Sequence, residues 1–474
     1  MPGIKTYMVK KSVLLILTLI LSVPAFSSEK AEKSDAPVKE HLQNHFKFYG
    51  FIRNYFAFDS RESVSGTGDL FYYLPKDVLW NENHTEDLNA QPSFRYLSLT
   101  SRVGVDVNGY YIGNLHFGAK IEADFYSGLS STSVKGFFPQ NSKGENSKVS
   151  GTAQLRLRQA YATLSWKDLP MSGDQTATVG LKIGQAWHPM GADHPHLFSL
   201  EAGAPFGPFS RTPLVQMDAD LGSHWTITAA AIWQMQYQSA GPAGSSAVYM
   251  KYGMTPEMYA AVAYKSKGLV LRAGADLVSI KPRVFGEKDG ITVRVSDRKT
   301  SLLYYLYAQY SKGKFAVKAK TTYGEGGEHM NLMSGYAKVG VNEADGSWNY
   351  ASLNASSSWV SFCYGKKWQG VLFLGYVKNF GLAEPVKEGK ILKEDVYFCS
   401  NGFSNIDQMY RINPQVIYNI GKLNVGLEYQ WTNVYYGEYY KENGKDYLSS
   451  YAKADMNRHW VGNHRVNLMV KYNF

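Results

Sequence analysis

The chain has 474 residues, a formal charge of +10 and a mean hydropathy of −0.30, and after its N-terminus no apolar run is long enough for a spanning helix, which excludes a bundle of membrane helices. Its two cysteines, Cys363 and Cys399, exclude a disulfide framework and a cysteine-based metal cluster. Aromatic residues make up 14% of the chain, 35 of them tyrosines, a side chain suited to surfaces with one apolar and one wet side.

In chain order, Met8–Ser28 reads as the core of a signal peptide covering residues 1–28. Lys10 and Lys11 precede an apolar run from Val13 to Val23, and small residues Ala25 and Ser27 follow at cleavage spacing. The apolar run is too short for a membrane anchor. Residues 29–45 are charged, contain Pro37 and predict a flexible periplasmic lead-in. With Lys5, Lys10 and Lys11 removed, the remaining chain carries +7.

From Phe46 the dominant period is two. Leu115, Phe117, Ala119, Ile121, Ala123 and Phe125 share one face, while His116, Gly118, Lys120, Glu122 and Asp124 share the other. Sixteen such segments are predicted: 46–58, 95–107, 114–126, 153–166, 176–184, 213–221, 225–237, 258–266, 269–280, 301–311, 314–323, 354–364, 368–380, 407–419, 423–436 and 462–474. Most are longer than a soluble strand and long enough for a tilted membrane strand. The connections alternate strictly between long and short. That rhythm predicts an all-β fold: a 16-stranded antiparallel transmembrane β-barrel over 46–474, with short periplasmic turns and long extracellular loops. The last segment places Val466, Leu468, Val470, Tyr472 and the terminal Phe474 on one face. Trp368 to Asn379 is apolar on both faces, which suggests a subunit contact.

With the apolar positions facing lipid, the opposite parity lines the lumen. The basic positions are Arg53, Arg102, Lys120, Arg156, Arg158, Lys182, Arg272, Lys318, Lys320, Arg411 and Arg465. The acidic ones are Asp106, Glu122, Asp124, Asp218, Asp220, Asp276 and Glu428. This excess predicts a mild anion preference, although the charges could equally pair across the lumen and merely solvate it. His188, Asp193, His194 and His196 are four potential ligands in nine residues, but Pro189 and Pro195 interrupt them and no spacing is diagnostic. They read as polar residues of a narrowing, with no metal and no cofactor. Cys363 and Cys399 fall at opposite ends of the strands and should not pair. No nucleotide loop, nucleophile elbow or zinc-protease helix appears, and no catalytic residue is assigned.

Sixteen strands, eight long loops, a terminal Phe and an unusual third loop resemble the bacterial outer-membrane porin superfamily. Gly184, Gln185, Trp187 and Arg211 look most like its dicarboxylate-type, DcaP-like branch. The resemblance implies that residues 185–212 fold into the barrel as a constriction loop, with Trp187, His188, Asp193, His194, His196, Glu201 and Arg211 at the narrowing. It further implies that Asp193 and Glu201 face the basic cluster of Arg102, Lys120, Arg156 and Arg158. The function it implies is passive diffusion of small hydrophilic solutes by a homotrimer in the Gram-negative outer membrane, to which the lumen charges add the mild anion preference. The partners are outer-membrane lipids, lipopolysaccharide and those solutes, with no nucleic acid. Two other readings stay open: an outer-membrane lipase- or protease-like hydrolase, and an adhesive or structural barrel without transport.

Overall fold

The computed structural model describes residues 45–66, 72–98, 100–127, 153–199 and 202–474. The expected signal peptide and all but the last residue of the lead-in lie outside the described residues.

The alternating segments form sixteen strands. They are β1 (Phe46–Asp59), β2 (Ser93–Leu97 continuing as Arg102–Ile112), β3 (Leu115–Ser127), β4 (Ala153–Pro170), β5 (Thr176–Trp187), β6 (Arg211–Leu221), β7 (Trp225–Ile232) and β8 (Glu257–Ser266). They continue as β9 (Leu269–Ile280), β10 (Lys299–Lys312), β11 (Phe315–Glu325), β12 (Ser347–Gly365), β13 (Trp368–Leu382), β14 (Ile406–Ile420), β15 (Leu423–Glu438) and β16 (Met456–Asn473). Each pairs antiparallel with its neighbours. The sheet closes where β1 meets β16, from Phe51 opposite Asn473 to Asp59 opposite Arg465. Closure is obligatory in hydrocarbon, where an unpaired strand edge finds no water.

Boundaries differ from the predicted ones where strands leave the membrane. β12 begins at Ser347 rather than 354 and β4 runs on to Pro170, since a strand projecting into water needs no apolar alternation. β7 stops at Ile232 rather than 237. In β2, Tyr55 of β1 lies opposite Leu97, yet Phe51 lies opposite Arg102, one residue out of step. This bulge turns both Arg95 and Arg102 into the lumen although they are seven residues apart.

Seven connections are short turns and the others are long loops, in the predicted alternation. Gly268 and Gly313 take positive φ in two of the tightest turns, a conformation that glycine adopts without strain. Ile121, Leu155, Leu306 and Leu427 point outward from the sheet and are 54–65% exposed in the isolated chain, as a lipid-facing belt requires. Aromatic pairs flank the belt: Trp225–Tyr264 (5.1 Å) and Trp368–Tyr418 (4.4 Å) at the turn end, Tyr323–Phe380 (5.9 Å) and Tyr410–Trp460 (5.3 Å) at the loop end. The terminal Phe474 donates its N–H to Gly50 O at 3.1 Å. A Cβ at Gly50 would come within 2.5 Å of the Phe474 ring, so the seam of the barrel needs glycine there.

Cys363 lies on β12 near its turn end, and Cys399 lies in the loop after β13; both are buried and free. Cys363 Sγ accepts from Gln369 Nε2 at 2.9 Å, and Cys399 Sγ sits 3.9 Å from Met333 Sδ. Folded protein should therefore leave both thiols unreactive to maleimide, and unfolding should release two per chain. A reductant-dependent shift of the monomer band on a denaturing gel would break this topology.

Candidate functional site

The loop between β5 and β6, described over residues 188–199 and 202–210, folds inward and crosses to the far wall. It is narrower than the predicted 185–212, because Trp187 and Arg211 pair as the last and first residues of the two strands. Its path is fixed by hydrogen bonds with the opposite side. Lys320 Nζ donates to Met190 O (2.6 Å) and Asp193 O (3.2 Å), and Lys318 Nζ to His194 O (3.0 Å). Ser361 Oγ accepts from His196 N (3.0 Å), and Gln415 Oε1 from Phe198 N (2.7 Å). Arg411 Nη1 reaches Ala204 O at 3.3 Å while its Nε donates to Thr432 Oγ1 at 2.8 Å.

Apolar packing fills the space behind this strap. Met190, Phe206 and Phe209 are buried against Tyr305, Tyr307, Trp359 and Phe373, all facing inward from β10, β12 and β13. Phe206 meets Phe373 edge to face at 5.9 Å. Gly375 makes room for it, since a Cβ there would lie 2.5 Å from Phe206 Cγ; Gly426 likewise receives Phe198. Here lies the reason β13 lacks alternation. Phe373 and Val377 are buried within the barrel, in the same cluster as the loop residues, so no subunit contact is needed to explain them.

The loop's other side faces a basic wall. Arg53, Arg102, Arg156, Arg158 and Arg211, with Asp124, line a cavity of about 220 Å³ against Trp187, His194, Leu197 and Phe209. Trp187 is a platform: the Arg211 and Arg158 guanidinium carbons lie 5.2 and 5.9 Å from its ring centre, and His194 packs edge-on at 4.4 Å.

Among the described residues, the acids paired with this wall's arginines lie on β3 and do not include Asp193. Asp193 turns away to bind Arg272 on β9, and Glu201 lies outside the described residues. Instead, Glu122 and Asp124 on β3 engage the arginines of the adjoining strands. Arg158 bridges both (2.9 and 2.6 Å), Arg156 chelates Asp124 with two bonds of 2.9 Å, and Arg102 stands 3.5 Å from Glu122. Neighbouring strands bring these groups within reach, whereas a loop carboxylate would have to span the opening. Lys120 pairs with Asp106 at 3.0 Å on the same wall.

The remaining predicted residues also face inward. Lys182 and Asp218 border a second cavity with Asp193 and Arg272, Asp220 accepts from Thr226 Oγ1, Arg465 pairs with Asp59 at 2.8 Å, and Glu428 bonds Gln430 and Asn467. His188, Asp193, His194 and His196 are not brought together. His188 joins Glu257, Asp276 and His329 instead. Glu257 and His329 were beyond sequence reasoning, Glu257 standing just before a predicted strand and His329 in a loop without periodicity. Arg95 and Asp59, paired at 2.7 Å, were also missed.

These features define a sixteen-stranded outer-membrane barrel narrowed by an inward loop. Among solved structures it is similar to the outer membrane channel DcaP of Acinetobacter baumannii, with a TM-score of 0.56 and 16% identity over 90% of this chain and 97% of that one. The anion-selective porin from Comamonas acidovorans follows at a TM-score of 0.47, 10% identity and coverage of 90% and 99%. Salmonella typhi OmpF in complex with daunomycin follows at 0.44, 12%, and 90% and 97%. The likeness is one of fold. No protein-family model and no curated protein matches the sequence.

Two predictions follow from the packing of the strap. Gly375→Val should push Phe206 off its seat at a cost of about 1–3 kcal/mol, leaving a barrel that still runs as a folded, heat-modifiable band but conducts more and with more noise. Unchanged conductance would count against a packed loop. The second concerns pH. Burial, reinforced by Lys320, Lys318, Arg158 and Arg211, pushes His194 down to about 3, and burial with Lys318 lowers His196 to about 4. Both stay neutral when the loop is docked and take up a proton near 6.5 when released. Docking is thus strongest above that pH and weakens as pH falls towards the docked values, by about 1–2 kcal/mol for His194 at pH 5. Channel flicker should rise between pH 7 and 5, and His194→Gln should blunt the rise; a flat profile in the native chain would refute it.

Proposed function

We propose that the protein is a passive diffusion channel for small hydrophilic solutes with a mild preference for anions, not an enzyme. One observation carries this reading: the cavity beside the loop is lined by five arginines and a single acid. Part of that charge is neutralised by Glu122 and Asp124, but not all. Arg53 Nε donates to Thr100 Oγ1 at 2.9 Å and Arg211 Nε to Gln236 Oε1 at 3.0 Å, and neither ion-pairs with a carboxylate among the described residues. Two guanidinium forks held by neutral acceptors leave this side of the cavity with a positive excess, which favours anions over cations. The similarity to an outer membrane channel supports the same reading at the level of architecture. We likewise propose, as the porin-like sequence pattern implies, that the barrel sits among outer-membrane lipids and lipopolysaccharide as a homotrimer.

In a planar bilayer, the purified protein should give stepwise conductance, and a salt gradient should give an anion-signed reversal potential. Replacing Arg53 and Arg211 together by Gln should bring the anion-to-cation permeability ratio close to one while the steps remain. Absence of steps would remove the channel, and a cation-signed potential in the native chain would remove the preference.

A further inference from the structure

Where the strap leaves β5, His188 enters a pocket closed to solvent. It meets Glu257 at the head of β8, Asp276 on β9 and His329 from the loop after β11, all four no more than 2% exposed. Met190 N donates to His188 Nδ1 at 3.1 Å. That nitrogen therefore keeps its lone pair, and the proton sits on Nε2, which donates to Glu257 Oε1 at 2.5 Å. Two carboxylates thus share the pocket with two imidazoles, and His188 is committed to Glu257 and to the loop backbone. No lysine or arginine lies within ion-pairing distance of Glu257 or Asp276 among the described residues.

A second observation is independent of this charge count. Both carboxylate oxygens of Asp276 are buried with no hydrogen-bond donor, and His329 Nε2 is buried with no hydrogen-bond partner. Leaving such groups unmatched is costly. His329 Nε2 stands 3.4 Å from Asp276 Oδ2 and 3.3 Å from Glu257 Oε1. Those gaps are long for a charge-assisted bond, which runs about 2.7–2.9 Å. They match the edge of a tetrahedron whose metal–ligand bonds are about 2.0–2.1 Å.

We propose that this pocket binds a divalent transition-metal cation, zinc by its mixed imidazole and carboxylate donors, through Asp276, Glu257 and His329 Nε2. His188 then acts from behind, its N–H orienting the Glu257 carboxylate. The cation enters as any proton on His329 leaves, and two carboxylates balance its two charges. Bound there, it ties the constriction loop and the loop carrying His329 to the β8–β9 wall. This site differs from the His188–His196 run that the sequence offers, of which only His188 takes part.

The test uses the full-length protein extracted from membranes, stripped with chelator during unfolding and refolded with or without zinc chloride. Elemental analysis should find about one zinc per folded chain, and Asp276→Asn and His329→Gln should each reduce it at least tenfold, while Asp193→Asn, outside the pocket, should not. A native chain that retains less than a tenth of an equivalent of zinc, manganese, cobalt or nickel would overturn the proposal, as would a variant of Asp276 that binds like the native chain. Should the variants fail to fold, X-ray absorption at the zinc edge of the native protein decides: one imidazole with oxygen neighbours supports the site, and sulfur or no imidazole overturns it.

Discussion

A peptide group in hydrocarbon has no water to bond, and everything else in this protein follows from that constraint. Every strand must be paired on both edges, so β1 must find β16, and a closed sheet of sixteen strands encloses a lumen too wide for side chains to fill. The apolar residues that a soluble protein would bury face outward to lipid instead. Closure therefore removes the usual core and leaves a water-accessible interior lined by the opposite parity.

The strap of residues 188–210 restores a core in one sector of that interior. Burying Phe206, Phe209 and Met190 contributes on the order of 1.5–3 kcal/mol each, set against the entropy of ordering the loop. Lys318, Lys320 and Arg411 add charged donors to loop carbonyls, bonds stronger than neutral ones. The cost to the wall is local and visible: small residues at Gly375 and Gly426, and inward aromatics on β10, β12 and β13 where polar residues would otherwise stand. The sector spanned by β1 to β4 is packed far less, by Phe198 near Tyr55 and Ala57 and by Tyr161, and keeps a mostly charged lining.

Strand number, order and the sorting of long and short connections were legible because they rest on a period of two and on turn length, both local properties. The inward parity of Lys120, Arg158 or Lys320 was legible for the same reason. Arg95 was not, because a bulge between Leu97 and Arg102 shifts the parity by one and no residue type announces it. Trp368 to Asn379 misled because lost alternation signals only that both faces are covered, and here the inner cover is the chain's own loop. The partners of Asp193 and His188 were out of reach, since Arg272 and Glu257 lie 79 and 69 residues away and meet them only through closure of the barrel.

The placement of the acids decides what kind of field the narrowing carries. Acids on the loop facing arginines on the wall would set opposite charges across the opening. Glu122 and Asp124 instead stand between Arg102 on one side and Arg156 and Arg158 on the other, along the same wall. Each guanidinium is thereby held against the sheet, and the pairs cancel over short distances. The loop opposite presents neutral histidines and apolar side chains, its one described carboxylate, Asp193, committed to Arg272. The potential thus falls from a basic wall to a neutral face rather than between two charged ones. On the proposed reading, the side of Arg53 and Arg211 is the one a small anion tracks.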